Sequence, residues 1–202
     1  MSGQKKNPLV VGIGFSPRKD GNSDTLLRWA LAGAREAGAR TKSLFVRDFK
    51  VNPCKNCGGC EDTGECSQHD DFMELASELE AADAAIIATP VYFMSVPAQG
   101  KAFIDRHQYF WARKYVFGIR PVRENRPALL LMTAGSDRPD IFACAKSPVS
   151  SMLITAGFRL KLIEPVAGVD EKGAVKKIPG LERKIQNAGK KLVRLAGENA
   201  RS

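Results

Sequence analysis

The sequence predicts an α/β fold, a three-layer sandwich in which a five-stranded parallel sheet carries helices on both faces. Three observations lead there. Short β-rich runs alternate with helical patterns along nearly the whole chain. Its 202 residues, 44% of them hydrophobic, suffice for one large core. Parallel strands also need crossover connections, which helices usually supply.

The elements follow in order. LVVGIGF (9–15) is an unbroken apolar run and the first strand. An amphipathic helix from about Ser23 to Ala37 returns the chain to TKSLFVRDF (41–49), the second strand. A helical pattern at 71–82 precedes AAIIATP (84–90), the third strand, and another at 97–113 precedes PALLLMTAG (127–135), the fourth. RLKLIEPVAGV (159–169) is the fifth strand. In the last helix Leu181, Ile185, Ala188, Leu192 and Leu195 recur at steps of 4, 3, 4 and 3, with Arg183, Lys184, Lys190, Lys191 and Arg194 between them. No repeat or low-complexity segment interrupts the pattern, so residues 1–202 read as a single domain with a cysteine-rich excursion at about 52–70.

Net charge is +9, and the stretch from Arg159 onward holds eleven Lys and Arg against five Asp and Glu. A solvated helix face accounts for most of this excess; an anionic cofactor or an acidic protein partner is the next reading. Nucleic acid is not expected, because no helix-turn-helix, zinc-finger or RNA-binding signature accompanies the charge. No apolar run approaches the roughly 18 residues that span a bilayer. The lysines before PLVVGIGF mimic a signal peptide, but no small-residue cleavage site follows, so the expected location is the cytoplasm.

Ligands of doubly wound sheets lie beyond the carboxyl ends of the strands. After the first strand, GIGFSPRKDGNSDTLL has Pro17 where a dinucleotide fingerprint needs its third glycine, and no Gly-Lys-Ser or Gly-Lys-Thr follows. What remains are the Ser16 and Ser23 hydroxyls, the Arg18 guanidinium, the Asn22 amide and a helix N-terminus, which together suit one phosphate monoester. The same stretch also reads as a turn into a helix capped by Asn22 or Ser23. After the third strand, Pro90, Val91, Tyr92 and Phe93 offer flat apolar surfaces to a planar heterocycle, or pack beneath the next helix. Thr133, Ala134, Gly135 and Ser136 after the fourth strand supply a third wall.

Cys54, Cys57, Cys60 and Cys66 read C-x2-C-x2-C-x5-C. A disulfide pair, a zinc ion and an iron-sulfur cluster are the alternatives. Structural zinc sites usually pair two separated C-x-x-C knuckles, and no second knuckle is present. Overlapping steps suit thiolates wrapped around one cluster, although the last gap differs from the ferredoxin spacing. Gly58, Gly59 and Gly64 would let the chain fold tightly around a bulky centre. Cys144 has an apolar flank and reads as a small buried hydrophobe. His69 and His107 lack a ligand pattern and belong to the surface or to packing.

In this order and at these intervals, SPRKDGNSDTLL, the cysteine run before DDFMEL, and ADAAIIATPVYFMSVPAQGKAFIDR resemble the flavodoxin-like NAD(P)H-dependent FMN reductases, and among them the iron-sulfur flavoproteins. The likeness runs from about residue 9 to 115, with LLMTAGS suggestive beyond. It implies a flavodoxin-like fold, FMN held without covalent linkage, and a homodimer or homotetramer. Carried over by position, Ser16, Arg18, Asn22 and Ser23 would hold the FMN phosphate, while Pro90, Val91, Tyr92 and Phe93 would border the ring with Thr133, Ala134, Gly135 and Ser136 nearby. Cys54, Cys57, Cys60 and Cys66 would bind one [4Fe-4S] cluster. The implied activity moves electrons between a reduced carrier, such as an acidic ferredoxin-like protein, or NAD(P)H, and a small-molecule acceptor. Its rivals are a cluster-free FMN or quinone reductase and an electron carrier without turnover. Two positions depart from the family pattern: Phe15 stands where many members have glycine, and Gly100 where an apolar residue is usual.

Overall fold

The structure, a computed structural model, describes residues 7–138 and 140–199; Lys5, Lys6 and Arg201 lie outside them. Strands β1 (Leu9–Gly14), β2 (Arg40–Phe45), β3 (Ala84–Pro90), β4 (Arg126–Thr133) and β5 (Phe158–Val166) form one sheet in the order β2-β1-β3-β4-β5. Every neighbouring pair is parallel. Strand composition explains the order. β4 is buried along its whole length and β3 as far as Thr89, as continuous apolar runs covered on both faces must be. β2 and β5 are edge strands, and β5 alternates covered with open positions.

The helices are α1 (Asn22–Glu36), α2 (Gly59–Thr63), α3 (Phe72–Ala81), α4 (Ala98–Arg106), α5 (Gln108–Tyr115), α6 (Asp140–Thr155) and α7 (Leu181–Asn199). One face of the sheet is covered by α1 and α7 through Leu26, Leu27, Ile185 and Leu192. The other is covered by α3 to α6 through Leu75, Phe103, Phe110 and Val149. Two layers of helix on a parallel sheet constitute a flavodoxin-like fold. The basic residues of α7 stand on its open side, where Lys184 meets Glu164 and Lys190 meets Glu36, as expected of a solvated face. Among the described residues no helix is long and apolar enough to cross a membrane.

Three details differ from the sequence reading. The second strand stops at Phe45, because residues 46–48 turn as a 3-10 helix that buries Val46. The single helix expected at 97–113 is two, broken at His107, whose ring is drawn among Phe72, Phe103 and Phe110. Cys144 is exposed rather than buried, since α6 turns Ala145, Val149, Met152 and Leu153 inward instead.

Two buried cations or potential cations hold this framework. Arg126 opens β4, donates to the carbonyls of Glu80, Ala82 and Ala156, and stacks on Phe158 at 3.8 Å. It thereby satisfies carbonyls around the ends of α3 and α6. Burial lowers its pKa to about 10, which still leaves it charged at neutral pH.

His107 is the opposite case. Its Nδ1 lies 2.9 Å from the Phe103 carbonyl, its Nε2 has no partner, and burial pushes its pKa down to about 4 from 6.5. The unfolded chain therefore takes up a proton between these values that the folded chain refuses. His107 stability is complete above the ordinary histidine value and falls as pH drops toward 4, by about 3 kcal/mol in all. Denaturant unfolding at pH 7, 5.5 and 4.5 should show this slope, and His107→Leu should flatten it. An equally steep variant would place the titration elsewhere.

Candidate functional site

The strand order reverses between β1 and β3, and both chains leave the sheet there at their carboxyl ends. From β1 the chain passes through Phe15, whose N–H donates to the Ala88 carbonyl at 2.8 Å, into a loop that closes on α1. Ser16 is buried, and its hydroxyl accepts from the Arg18 N–H at 3.1 Å. Gly21, not Asn22 or Ser23, precedes the helix, and no side-chain hydrogen bond caps it. The first N–H groups of α1 are thus left for another acceptor.

The two residues read as possible caps do something else. Asn22 donates its amide to the carbonyls of Val169 and Glu171 at 2.9 and 2.8 Å and accepts from the Gly173 N–H at 2.9 Å. Both of its side-chain donors are engaged, and they tie the start of α1 to the chain after β5. Ser23 is buried and shares a hydrogen bond of 2.9 Å with the Thr133 hydroxyl. Arg18 lies on the surface and donates to the Asp170 carbonyl at 3.3 Å.

The same lacing gathers the other two walls. The Val91 N–H donates to the Thr133 carbonyl at 2.8 Å, and the Ala134 N–H to the Val166 carbonyl at 3.0 Å. Gly135 runs against Asp170, where a Cβ would stand 3.1 Å from the aspartate Cβ. Ser136 is exposed and accepts from the Arg138 N–H at 3.3 Å. Past half-buried Pro90 and buried Val91, Tyr92 and Ser95 exchange both backbone hydrogen bonds at 2.9 Å around Phe93 and Met94. These two have φ of 47° and 63°, the signature of a mirror-image two-residue turn. Bulky side chains there cost about 1–3 kcal/mol each. Phe93 is fully exposed and Tyr92 is open to solvent, so neither packs under the next helix.

Phe15 and Gly100, the two departures noted above, form a contact. A Cβ on Gly100 would stand 2.7 Å from the Phe15 ring. The large side chain before the loop occupies space that the small one in α4 leaves, and Phe103 meets the same ring edge-on at 6.0 Å.

Sequence reasoning missed Asp24, Arg47 and the loop after β5. Asp24 is fully buried in the first turn of α1 and forks with Arg47 at 2.8 and 3.1 Å. The sequence places Arg47 in the second strand, and the turn at 46–48 swings it back. An acidic residue two places after Asn22 was the available signal.

Around the cysteines, Asn52 and Asp70 close the base of the excursion, the Asp70 carboxylate accepting from the Asn52 backbone at 2.9 Å and its amide at 3.1 Å. Arg106 of α4 joins them, donating to Asp70 at 2.7 Å, the Asn52 carbonyl at 3.1 Å and the Cys66 sulfur at 3.3 Å. Burial alone would raise the Asp70 pKa, but Arg106 and the Asn52 and Phe72 N–H groups hold it below the ordinary value. Cys54, Cys57, Cys60 and Cys66 line one cavity, each with its thiol free. The Ser67 hydroxyl, 3.1 Å away, pulls the Cys57 thiol below its usual pKa, whereas burial pushes Cys60 up. Asn56, Gly58 and Gly64 take left-handed backbone, so the chain bends sharply at three points around the cavity. Among the described residues no three His, Cys, Asp or Glu side chains converge closely enough to hold a metal ion.

A flavodoxin-like sheet with three loops laced at its switch point defines the class of a nucleotide-cofactor domain. Residues 8–145 match the family model of NADPH-dependent FMN reductase, and the chain belongs to that family. It is 37% identical over 132 residues to an iron-sulfur flavoprotein of Archaeoglobus fulgidus, covering 65% of this chain and 57% of that one. It is 42% identical over 97 residues to an iron-sulfur flavoprotein of Methanosarcina thermophila, covering 48% and 51%. The matches thus span little more than half of these relatives. An NAD(P)H:quinone oxidoreductase from Methanothermobacter marburgensis superposes with a TM-score of 0.65 at 20% identity, covering 93% of this chain and 95% of that one, which shows the shared fold.

Proposed function

We propose that this chain is an FMN-dependent oxidoreductase of the iron-sulfur flavoprotein type, moving electrons between a reduced carrier or NAD(P)H and a small acceptor. One observation carries the reading: in a chain of the FMN reductase family, Cys54, Cys57, Cys60 and Cys66 line a single cavity on the excursion, against Arg106, Gln108 and Tyr109. Bound FMN exchanges a hydride or single electrons, and a [4Fe-4S] centre passes electrons singly, so the pair would couple two-electron to one-electron partners.

The protein's share is binding and orientation. Ser16, Arg18, Ser23 and the open N-terminus of α1 would meet the phosphate, with Asn22 holding the loop in place. Pro90, Val91, Tyr92 and Phe93 would border the ring on one side and Thr133, Ala134, Gly135 and Ser136 on another. Cys54, Cys57, Cys60 and Cys66 would hold the cluster. The overlapping spacing of the four thiols favours a cluster over zinc, and the Arg106 donor at Cys66 suits a thiolate carrying charge. Exposed Tyr92, Phe93, Trp111, Tyr115, Val116 and Phe117 supply apolar surface for a homodimer or homotetramer, which sedimentation would detect. The basic surface would dock an acidic redox protein.

Protein purified without oxygen should show flavin and iron-sulfur absorption together, with iron and sulfide near four each per chain. Cys57→Ser should lose the iron and keep FMN. Flavin bands without iron in the wild-type protein would leave the cluster-free reductase; loss of flavin together with iron in the variant would make the excursion a structural part of the domain.

A further inference from the structure

Asp24 poses a problem for an anion site. Its carboxylate is fully buried in the first turn of α1, the place where helix N–H groups and the helix dipole would favour a phosphate. It has a structural task there, because its Oδ2 accepts from the Asp20 N–H at 2.9 Å and so ties the loop to the helix. Left alone, a buried negative charge in that turn would repel a phosphate dianion. Arg47 meets it with both arms, and the same Nη1 donates to the Ser16 carbonyl at 3.0 Å. The guanidinium is itself largely buried and stacks over Phe45 at 4.3 Å, while Phe45 fills the space that Gly14 leaves.

We infer that Arg47 is the positioning residue that makes this loop selective for phosphorylated flavin: it cancels the Asp24 charge and fixes Ser16 from behind. The inference rests on the FMN reading above and adds to it a residue outside the loop. The balance is local. Asp24 organises the loop backbone, and Arg47 removes the electrostatic cost of having placed a carboxylate beside the ligand's own charge.

The test compares FMN with riboflavin, which has the same ring and ribityl chain and no phosphate. Dissociation constants of both are measured by flavin fluorescence on flavin-free protein, for wild type, Arg47→Leu, Arg47→Lys and the double variant Arg47→Leu/Asp24→Asn. Wild type should prefer FMN. Arg47→Leu should reduce that preference on the order of tenfold or more, as an uncompensated charge near the phosphate requires, while riboflavin binding changes little. The double variant, with neither charge, should recover much of the preference. Arg47→Lys should fall between and serves if Arg47→Leu does not fold. A wild type that binds riboflavin as tightly as FMN would remove the phosphate-loop reading itself. A wild type that prefers FMN, with the preference intact in Arg47→Leu or Arg47→Lys, or with no recovery in the double variant, would overturn the role of Arg47 alone.

Discussion

Replacing Arg106 with leucine is expected to destabilise the protein by about 3–5 kcal/mol, the usual cost of leaving one member of a buried ion pair without the other. The side chains of Arg106 and Asp70 are 1% and 0% exposed, so water cannot take the place of either. Leucine would fill much of the space but donate nothing. The Asp70 carboxylate would retain only the Asn52 and Phe72 donors, and the Asn52 carbonyl and Cys66 sulfur would lose theirs. Urea unfolding at pH 7 measures the loss, and the melting temperature should drop by about 10 °C. The double variant Arg106→Leu/Asp70→Leu should be less unstable than Arg106→Leu, because no orphaned charge remains. A single variant within 1 kcal/mol of wild type would mean that water reaches the pair. Since the folded Asp70 pKa is lowered, its contribution is present above the ordinary carboxylate value and is lost as pH falls through the folded one.

The second large effect concerns two glycines that helix propensity alone would replace. A glycine inside a helix costs about 1 kcal/mol relative to alanine, so Gly33→Ala in α1 ought to stabilise. The structure reverses the sign. A Cβ on Gly33 would stand 2.0 Å from the Gln186 carbonyl oxygen of α7, and one on Gly189 would stand 2.0 Å from that of Ala30 in α1. Both obstacles are backbone, which cannot swing aside as a side chain does. The two helices would have to part, lifting Leu181, Ile185 and Leu192 from the sheet, at a cost of about 3 kcal/mol or more. Gly197, also in α7, has nothing within 4 Å of its ideal Cβ and is the internal control. In urea unfolding Gly197→Ala should be neutral or slightly stabilising and Gly33→Ala clearly destabilising; equal stability of the two would show that α1 and α7 do not meet through backbone.

The glycines also mark the limit of what a linear reading can recover. A mid-helix glycine is visible in the chain, but its reason lies in a second helix more than 150 residues away. Phe15 and Gly100 are the same kind of pair: each alone is an unexplained departure from the family pattern, and together they are one filled volume. Asn22 is legible as a polar residue after the first strand, but that its amide serves the chain after β5 is not. β-rich residues carry Arg47 into a turn, and only the turn brings it to Asp24.

What the amino-acid order determined by itself is whatever depends on near neighbours: the alternation of five apolar strands with helices, the loops at their carboxyl ends, and the grouping of Cys54, Cys57, Cys60 and Cys66. Periodicity and spacing are local properties, and side chains obey them before any tertiary contact forms. Tertiary structure alone decided which polar groups are paired and which surfaces touch. It buried Asp24 against Arg47 and Asp70 against Arg106, turned Cys144 outward, and set Phe93 in the open. These outcomes depend on desolvation and shape at contacts between distant segments, and the energy of such a contact exists only once both partners are in place.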